Sequence, residues 1–334
     1  SSAAAIATPA SPSARAWCTT RTRPNRDPGR PSTISARHSG RVRSRGRTTR
    51  SAHHRTRSSP SGSLPQVMWR DGSVAASMFG SLAKQSEGRF DIGLGRGDSA
   101  VRVMGKKPAP LKKLEEFAHA VKGMVRGDEV QYGECPEPVK FPWAEGYELP
   151  IWVAAYGPKA LSSAGRVGDG LILQIAEPSI CKWLADEAIA AGKEDGRDMS
   201  GYRVMAAAPA FFGTREECLE ATRWFPAMVG NHVADIVEKY GTERDDIPPS
   251  LTAYIKDRKG YDYSKHGQSD NPYLDFISDD IIESFSVLGD EEAHIAKIRE
   301  LEAAGVTQFN IYLDNGREEE IIARYGETVI PAFS

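Results

Sequence analysis

From residue 89 onward the chain keeps one rhythm. A short apolar run of strand length meets a turn marked by glycine or proline, and an apolar stripe at helical spacing follows. Phe90-Asp91-Ile92-Gly93-Leu94 runs into Gly95-Arg96-Gly97 and ends on Asp98-Ser99. Four further runs read as strands: 151–155, 169–174, 202–212 and 306–313. Ile151-Trp152-Val153-Ala154-Ala155 is apolar throughout, as in a parallel strand covered on both faces. Between the strands, Leu111, Leu114, Phe117, Ala118, Val121 and Val125 form one helical stripe, opened by Pro110 and closed by Gly127. A second helix covers 178–191 with Trp183, Leu184 and Ala188 inward. Thr214 caps a third, and Asp290 caps a fourth whose Ile295, Ile298 and Leu301 face inward. A short helix over 318–325 closes the chain. Such alternation requires a parallel sheet with both faces covered.

The count of strands is the next constraint. An eight-stranded barrel takes about 250 residues, which a chain of 334 accommodates with an insertion. Five strands follow residue 89, so residues 1–88 owe three. That region offers only a helix over 74–87, with Val74, Met78, Leu82 and the alanines at helical spacing. Residues 1–60 hold thirteen arginines, no lysine and one acid, Asp27. The rest carries 30 basic and 44 acidic side chains within an overall net charge of −2. So basic a stretch has too few large apolar residues to bury a core. The expected fold is therefore α/β: a (β/α)8 TIM-type barrel, incomplete because its first three strands are replaced by an Arg-rich disordered leader. The leader takes residues 1–72, and the barrel domain takes 73–334 with an insertion or lid at 241–280. Residues 128–148 are read as irregular chain crossing the top of the fold.

Three readings of the leader compete. An Arg- and Ser-rich, acid-poor segment resembles an organelle transit peptide. An arginine-rich tail can bind nucleic acid through phosphates, although no aromatic interleaving suits base stacking. Arginine without lysine, beside abundant Ser, Pro, Thr and Ala, is also what a GC-rich gene yields in the wrong frame. That last reading is the expectation here.

Composition narrows the chemistry. Cys18, Cys135, Cys181 and Cys218 show no metal-ligand spacing, so a reducing, cytoplasmic setting without disulfides is expected. No apolar run approaches the roughly 18 residues a bilayer requires. The seven histidines include no HxH or HExxH pair, so no metal is expected, and His119 reads as a surface residue. GxSxG and P-loop motifs are absent, against a serine hydrolase or a P-loop NTPase.

Two stretches remain as candidate sites. In Ala154-Ala155-Tyr156-Gly157-Pro158-Lys159-Ala160 a strand ends, glycine frees the backbone and proline sets the first helical turn. The N–H groups of such a helix start make an anion site at the strands' carboxyl ends, or simply a well-capped turn. The Gly93–Ser99 loop is not a dinucleotide fingerprint, because Asp98 stands where the third glycine belongs. Asp98 and Ser99 sit where barrel enzymes carry reactive groups; alternatively Asp98 only caps the following turn.

Together, GRFDIGLGRGDSAVRVMGKKPAPLKKLEEF and LPIWVAAYGPKALSSAGRVGDGLIL resemble the luciferase-like monooxygenase superfamily, and within it the coenzyme F420-dependent, methylenetetrahydromethanopterin reductase-like oxidoreductases. The resemblance runs from about Ser73 to the C-terminus. It implies a barrel binding a deazaflavin or FMN at its carboxyl mouth, with Ala155, Tyr156, Gly157, Pro158 and Lys159 holding the cofactor phosphate. It implies that Gly95, Arg96, Gly97 and Ser99 line the cofactor pocket and that Asp98 acts in proton transfer. The implied activity is hydride transfer between coenzyme F420 and a small organic substrate. An FMN-dependent monooxygenase is the alternative in the same class, and a non-catalytic flavin- or nucleic-acid-binding protein the alternative in another. The partners expected are that substrate and a second copy of the chain, with no metal, membrane or nucleic acid. Family members carry further contacts on their first three strands, the region that the leader replaces here.

Overall fold

The computed structural model describes residues 3–7, 71–97, 101, 104–229, 278–313 and 315–333. Strand β1 (Ala3–Ala7) precedes helix α1 (Gly72–Gln85), β2 (Ile92–Leu94), α2 (Leu111–Arg126), β3 (Ile151–Ala154) and α3 (Pro158–Val167). Then come β4 (Gly170–Leu173), α4 (Pro178–Glu194), β5 (Arg203–Phe212) and α5 (Arg215–Thr222). The last part holds α6 (Asp279–Phe285), β6 (Val287–Gly289), α7 (Glu291–Ala303), β7 (Gln308–Leu313) and α8 (Glu318–Arg324). The helix stops are those the sequence signals. Gly127 ends α2 in the left-handed conformation at φ 87°, Thr214 and Glu217 form a capping box on α5, and Asp290 caps α7 by accepting from Ala293 N–H.

Strands β2, β3, β4 and β5 pair in parallel and in chain order. The long β5 then takes two parallel partners, β7 along Met205–Pro209 and β6 along Ala210–Phe212. β1 adds to β7 in antiparallel register, Ala3 opposite Leu313. The order β1-β7-β5-β4-β3-β2 leaves an open half-barrel among the described residues rather than a closed ring.

Several expectations change. β6 was not foreseen, because a three-residue strand between two helices leaves no period to read. Within the stretch read as leader, Ala3–Ala7 forms a strand; this run has neither charge nor proline to keep it off a ladder. The insertion expected at 241–280 lies outside the described residues up to 277, and its last residues already open α6. On α1 the inward set is Ala75, Ala76, Phe79 and Ala83, whereas Val74 is 59% and Met78 50% exposed. Two apolar faces compete on this helix, and the face of Ala75, Ala76, Phe79 and Ala83 wins because its alanines let α1 pack closely on α2.

Residues 128–148 do not cross the top of the strands. They pack along α1, where the Tyr132 hydroxyl accepts from Gly72 N–H, Trp143 lies beside Gly80 and Tyr147 beside Gly88. The physical reason is connectivity: the segment carries the chain from the end of α2 back to the amino end of β3.

The helix-facing side of the sheet supplies the main core: Ile92 and Leu94, Ile151 and Val153, Leu171 and Leu173, Val204 and Ala206, Phe309 and Ile311. Each fully buried Leu, Ile or Phe stabilises the fold by about 2 kcal/mol. α3 and α4 meet at Gly165 and Gly192; a Cβ on Gly165 would strike the Ala188 carbonyl. Among the described residues no helix is long and apolar enough to cross a membrane.

Candidate functional site

The opposite face of the sheet is built differently. Because side chains alternate along a strand, the inward positions are Asp91, then Trp152 and Ala154, Gly170 and Ile172, Arg203 and Met205, and Gln308, Asn310 and Tyr312. At the amino ends these residues close a floor. Buried Asp91 accepts from Arg203 Nη1 at 2.9 Å and from the Trp152 indole N–H at 3.2 Å, while the guanidinium lies 4.4 Å over the indole. Gly170 is the residue that admits this indole, since a Cβ there would stand 2.6 Å from the ring. Ile172 and Met205 pack on the indole as the next layer.

At the carboxyl ends the same face turns polar. Tyr156, two residues beyond β3, accepts the Gln174 backbone N–H at 2.6 Å, and its O–H points to Gln174 Oε1 at 3.5 Å. Gln174 in turn donates from Nε2 to the Tyr312 hydroxyl at 2.6 Å. With its oxygen engaged as an acceptor, Tyr312 keeps its own proton to give, and no acceptor for it stands among the described residues. Phe225 and Trp224 flank this phenol, their ring centroids 5.8 and 6.4 Å away. Burial pushes both tyrosines upward, Tyr156 strongly, so the phenols stay protonated and act as hydrogen-bonding groups. Such phenols suit hydrogen bonding to a ligand rather than proton exchange with one at neutral pH.

Both sequence candidates leave adjacent strands at this mouth. Leu94 pairs with Val153, so the loop after β2 and the turn after β3 emerge side by side. Gly95 and Gly97 are buried, Gly97 with φ 79° in the left-handed region. Arg96 holds the loop by donating from Nε to Ala109 O at 2.6 Å and accepting the Ala109 N–H through its own carbonyl. Ala155 is buried, Tyr156, Gly157 and Pro158 are half-buried, and Lys159 is exposed. Gly157 is the N-cap of α3 and Pro158 its first residue, with no side chain capping the helix start. The start of α3 therefore leaves main-chain N–H groups uncapped by any side chain at the mouth. Asp98 and Ser99 lie outside the described residues.

Gln174 and Tyr312 escaped the sequence reading. The signal was present: Gln308, Asn310 and Tyr312 alternate with Phe309, Ile311 and Leu313 through VTQFNIYL, and Gln174 is the one polar residue ending GLILQ. No group of three or more His, Cys, Asp or Glu among the described residues is disposed to hold a metal ion.

A protein-family model described as luciferase-like monooxygenase matches residues 63–308. The chain is 30% identical over 245 residues to a 5,10-methylenetetrahydromethanopterin reductase of Methanolobus tindarius, covering 72% of each protein. Its fold is similar to that of the coenzyme F420 dependent tetrahydromethanopterin reductase of Methanopyrus kandleri, with a TM-score of 0.56, 23% identity and coverage of 79% of this chain and 80% of that one. An F420-dependent secondary alcohol dehydrogenase, solved with an F420-acetone adduct, gives a TM-score of 0.58 at 18% identity, covering 81% of this chain and 78% of the other.

Proposed function

The chain belongs to the luciferase-like monooxygenase family, and on that premise we propose that it is an F420-dependent oxidoreductase acting on a small organic substrate. The carrying observation is the convergence at one mouth of two glycine turns, an uncapped helix start and the Tyr156–Gln174–Tyr312 chain. These residues fit a flat heterocycle that carries a phosphate. The N–H groups of Gly157 and Lys159 suit the phosphate, and Gly95 and Gly97 let the backbone approach the ring. Trp224 and Phe225 supply an apolar wall, and the Tyr312 hydroxyl supplies a donor for a ring carbonyl. When bound, the deazaflavin supplies the hydride chemistry, and the protein contributes binding and orientation. We assign the proton at the substrate to Asp98, which follows Gly97 directly, and give Arg96 and Ser99 to the same pocket wall. The free cysteines Cys135, Cys181 and Cys218 favour the cytoplasm as its compartment.

The relatives' names support F420 over FMN. The test is a fluorescence titration of the purified protein with each cofactor. F420 is expected to bind one per chain with its emission quenched, and FMN to bind more weakly. Tight FMN binding without F420 binding would make the chain an FMN-dependent monooxygenase instead.

A further inference from the structure

A second cavity lies on the outer flank of the half-barrel, among α5, α6, β6 and α7, far along the chain from the turns that build the mouth. Its volume is about 400 Å³, within the range of small-molecule sites. Two polar groups line it without a hydrogen-bond or ion-pair partner among the described residues. Ser286 is 1% exposed, and its buried hydroxyl finds no hydrogen-bond partner among them. Lys297 is half-buried, and no carboxylate lies within ion-pair distance of its ammonium among the described residues. Burial holds this lysine below its ordinary value, against the opposite pull of the nearby Glu300 and Glu177. An orphaned hydroxyl in a native interior is costly and calls for an acceptor.

The rest of the lining limits what that acceptor is. Leu288, Ala293 and Ala296 supply an apolar wall. Arg215 is already engaged, its Nε donating to Glu283 at 2.6 Å with Asp279 close by, so it adds no free positive charge. Glu300 also lines the cavity and adds negative charge. Lys297 is the cation of the lining that holds no direct ion pair among the described residues, and beside the carboxylates of Glu300 and Glu283 it suits a single negative charge and disfavours a dianion. The buried Cys218 thiol is pushed up by desolvation and serves as wall rather than nucleophile.

We propose that this flank cavity is a binding site for a small monocarboxylate, its oxygens held by Lys297 and Ser286 and its aliphatic body set against Leu288, Ala293 and Ala296. The site is separate from the cofactor mouth and does not depend on the cofactor's identity.

Calorimetric titration of the full chain with sodium butanoate tests this, with inorganic phosphate and butylamine as comparison probes. Butanoate is expected to bind one per chain. Lys297→Met should weaken it about tenfold or more, and Ser286→Ala several-fold, the loss for a hydrogen bond to a charged group. Lys297→Arg keeps the charge and should retain most of the affinity. Circular dichroism establishes that each variant is folded, and Ser286→Ala, which removes one oxygen, serves should Lys297→Met fail to fold. Butanoate affinity unchanged by both removals, phosphate bound as tightly as butanoate, or no saturable butanoate binding would each overturn the proposal.

Discussion

His294 shows what one buried side chain contributes. It is fully enclosed on α7, stacked on Phe212 at 3.9 Å, with Nε2 3.2 Å from the Phe211 carbonyl and Nδ1 3.1 Å from the Tyr325 hydroxyl. A carbonyl only accepts, so Nε2 carries the proton and Nδ1 accepts from Tyr325. The ring is therefore held neutral, and burial lowers its pKa from 6.5 to about 4. Unfolded chains bind this proton below pH 6.5 and the folded chain does not until about pH 4. Stability is thus fully present above pH 6.5 and falls as the pH drops toward 4, by about 3 kcal/mol in all. Urea unfolding between pH 7.5 and 4.5 measures this slope, and a His294→Gln variant should flatten it. At the mouth, Tyr312→Phe removes the donor offered to the ligand and also the acceptor of the Gln174 Nε2 hydrogen bond. F420 affinity should fall about five- to tenfold, with a loss of stability of about 1 kcal/mol read as a lower melting temperature. A lone histidine on a helix does not reveal the carbonyl above it, so the role of His294 is not legible in the chain. Alternation with Gln308 and Asn310 puts Tyr312 on one polar face of its strand, but the sequence does not show that Gln174 and Tyr156 meet it there.

At the scale of elements, most boundaries follow from local chemistry. Pro110 and Gly127 bracket α2, and Thr214, Asp290 and Pro158 open their helices, as short-range caps do wherever the chain lies in the fold. What local chemistry does not carry is which neighbour an element meets. The outward turn of Val74 and Met78 on α1 is decided by α2, and the course of residues 128–148 by the need to reach β3. The α3–α4 contact is of the same kind. Gly165 and Gly192 look like helix-weakening residues, yet they permit backbone contact between the two helices, and Arg197 adds a hydrogen bond to the Gly165 carbonyl. Gly165→Ala should therefore destabilise the protein by about 2 kcal/mol despite alanine's better helix propensity. Chemical denaturation of the variant reads this directly. A gain in stability would show that the helices can part without loss.

Among the described residues, the strands join a filled floor to an open mouth. Asp91, Trp152 and Arg203 close the amino ends of the strands, and Met205 and Ile172 fill the layer above. A ligand therefore enters from the carboxyl side, where the glycine turns and the Tyr156–Gln174–Tyr312 chain stand. The parallel α/β architecture and the two turns were plain in the sequence, because strand runs and glycine–proline punctuation are local. The strand count was not, since β6 is three residues long and β1 joins antiparallel from the far end of the chain, Ala3 opposite Leu313. The central claim is that the deazaflavin lies at this mouth, and a crystal structure of the chain with F420 tests it most directly. The ring should lie between the Gly95–Gly97 turn and Trp224, within hydrogen-bond reach of the Tyr312 hydroxyl, with the phosphate at the start of α3. F420 bound anywhere else on the chain, with this mouth left open, would contradict the account.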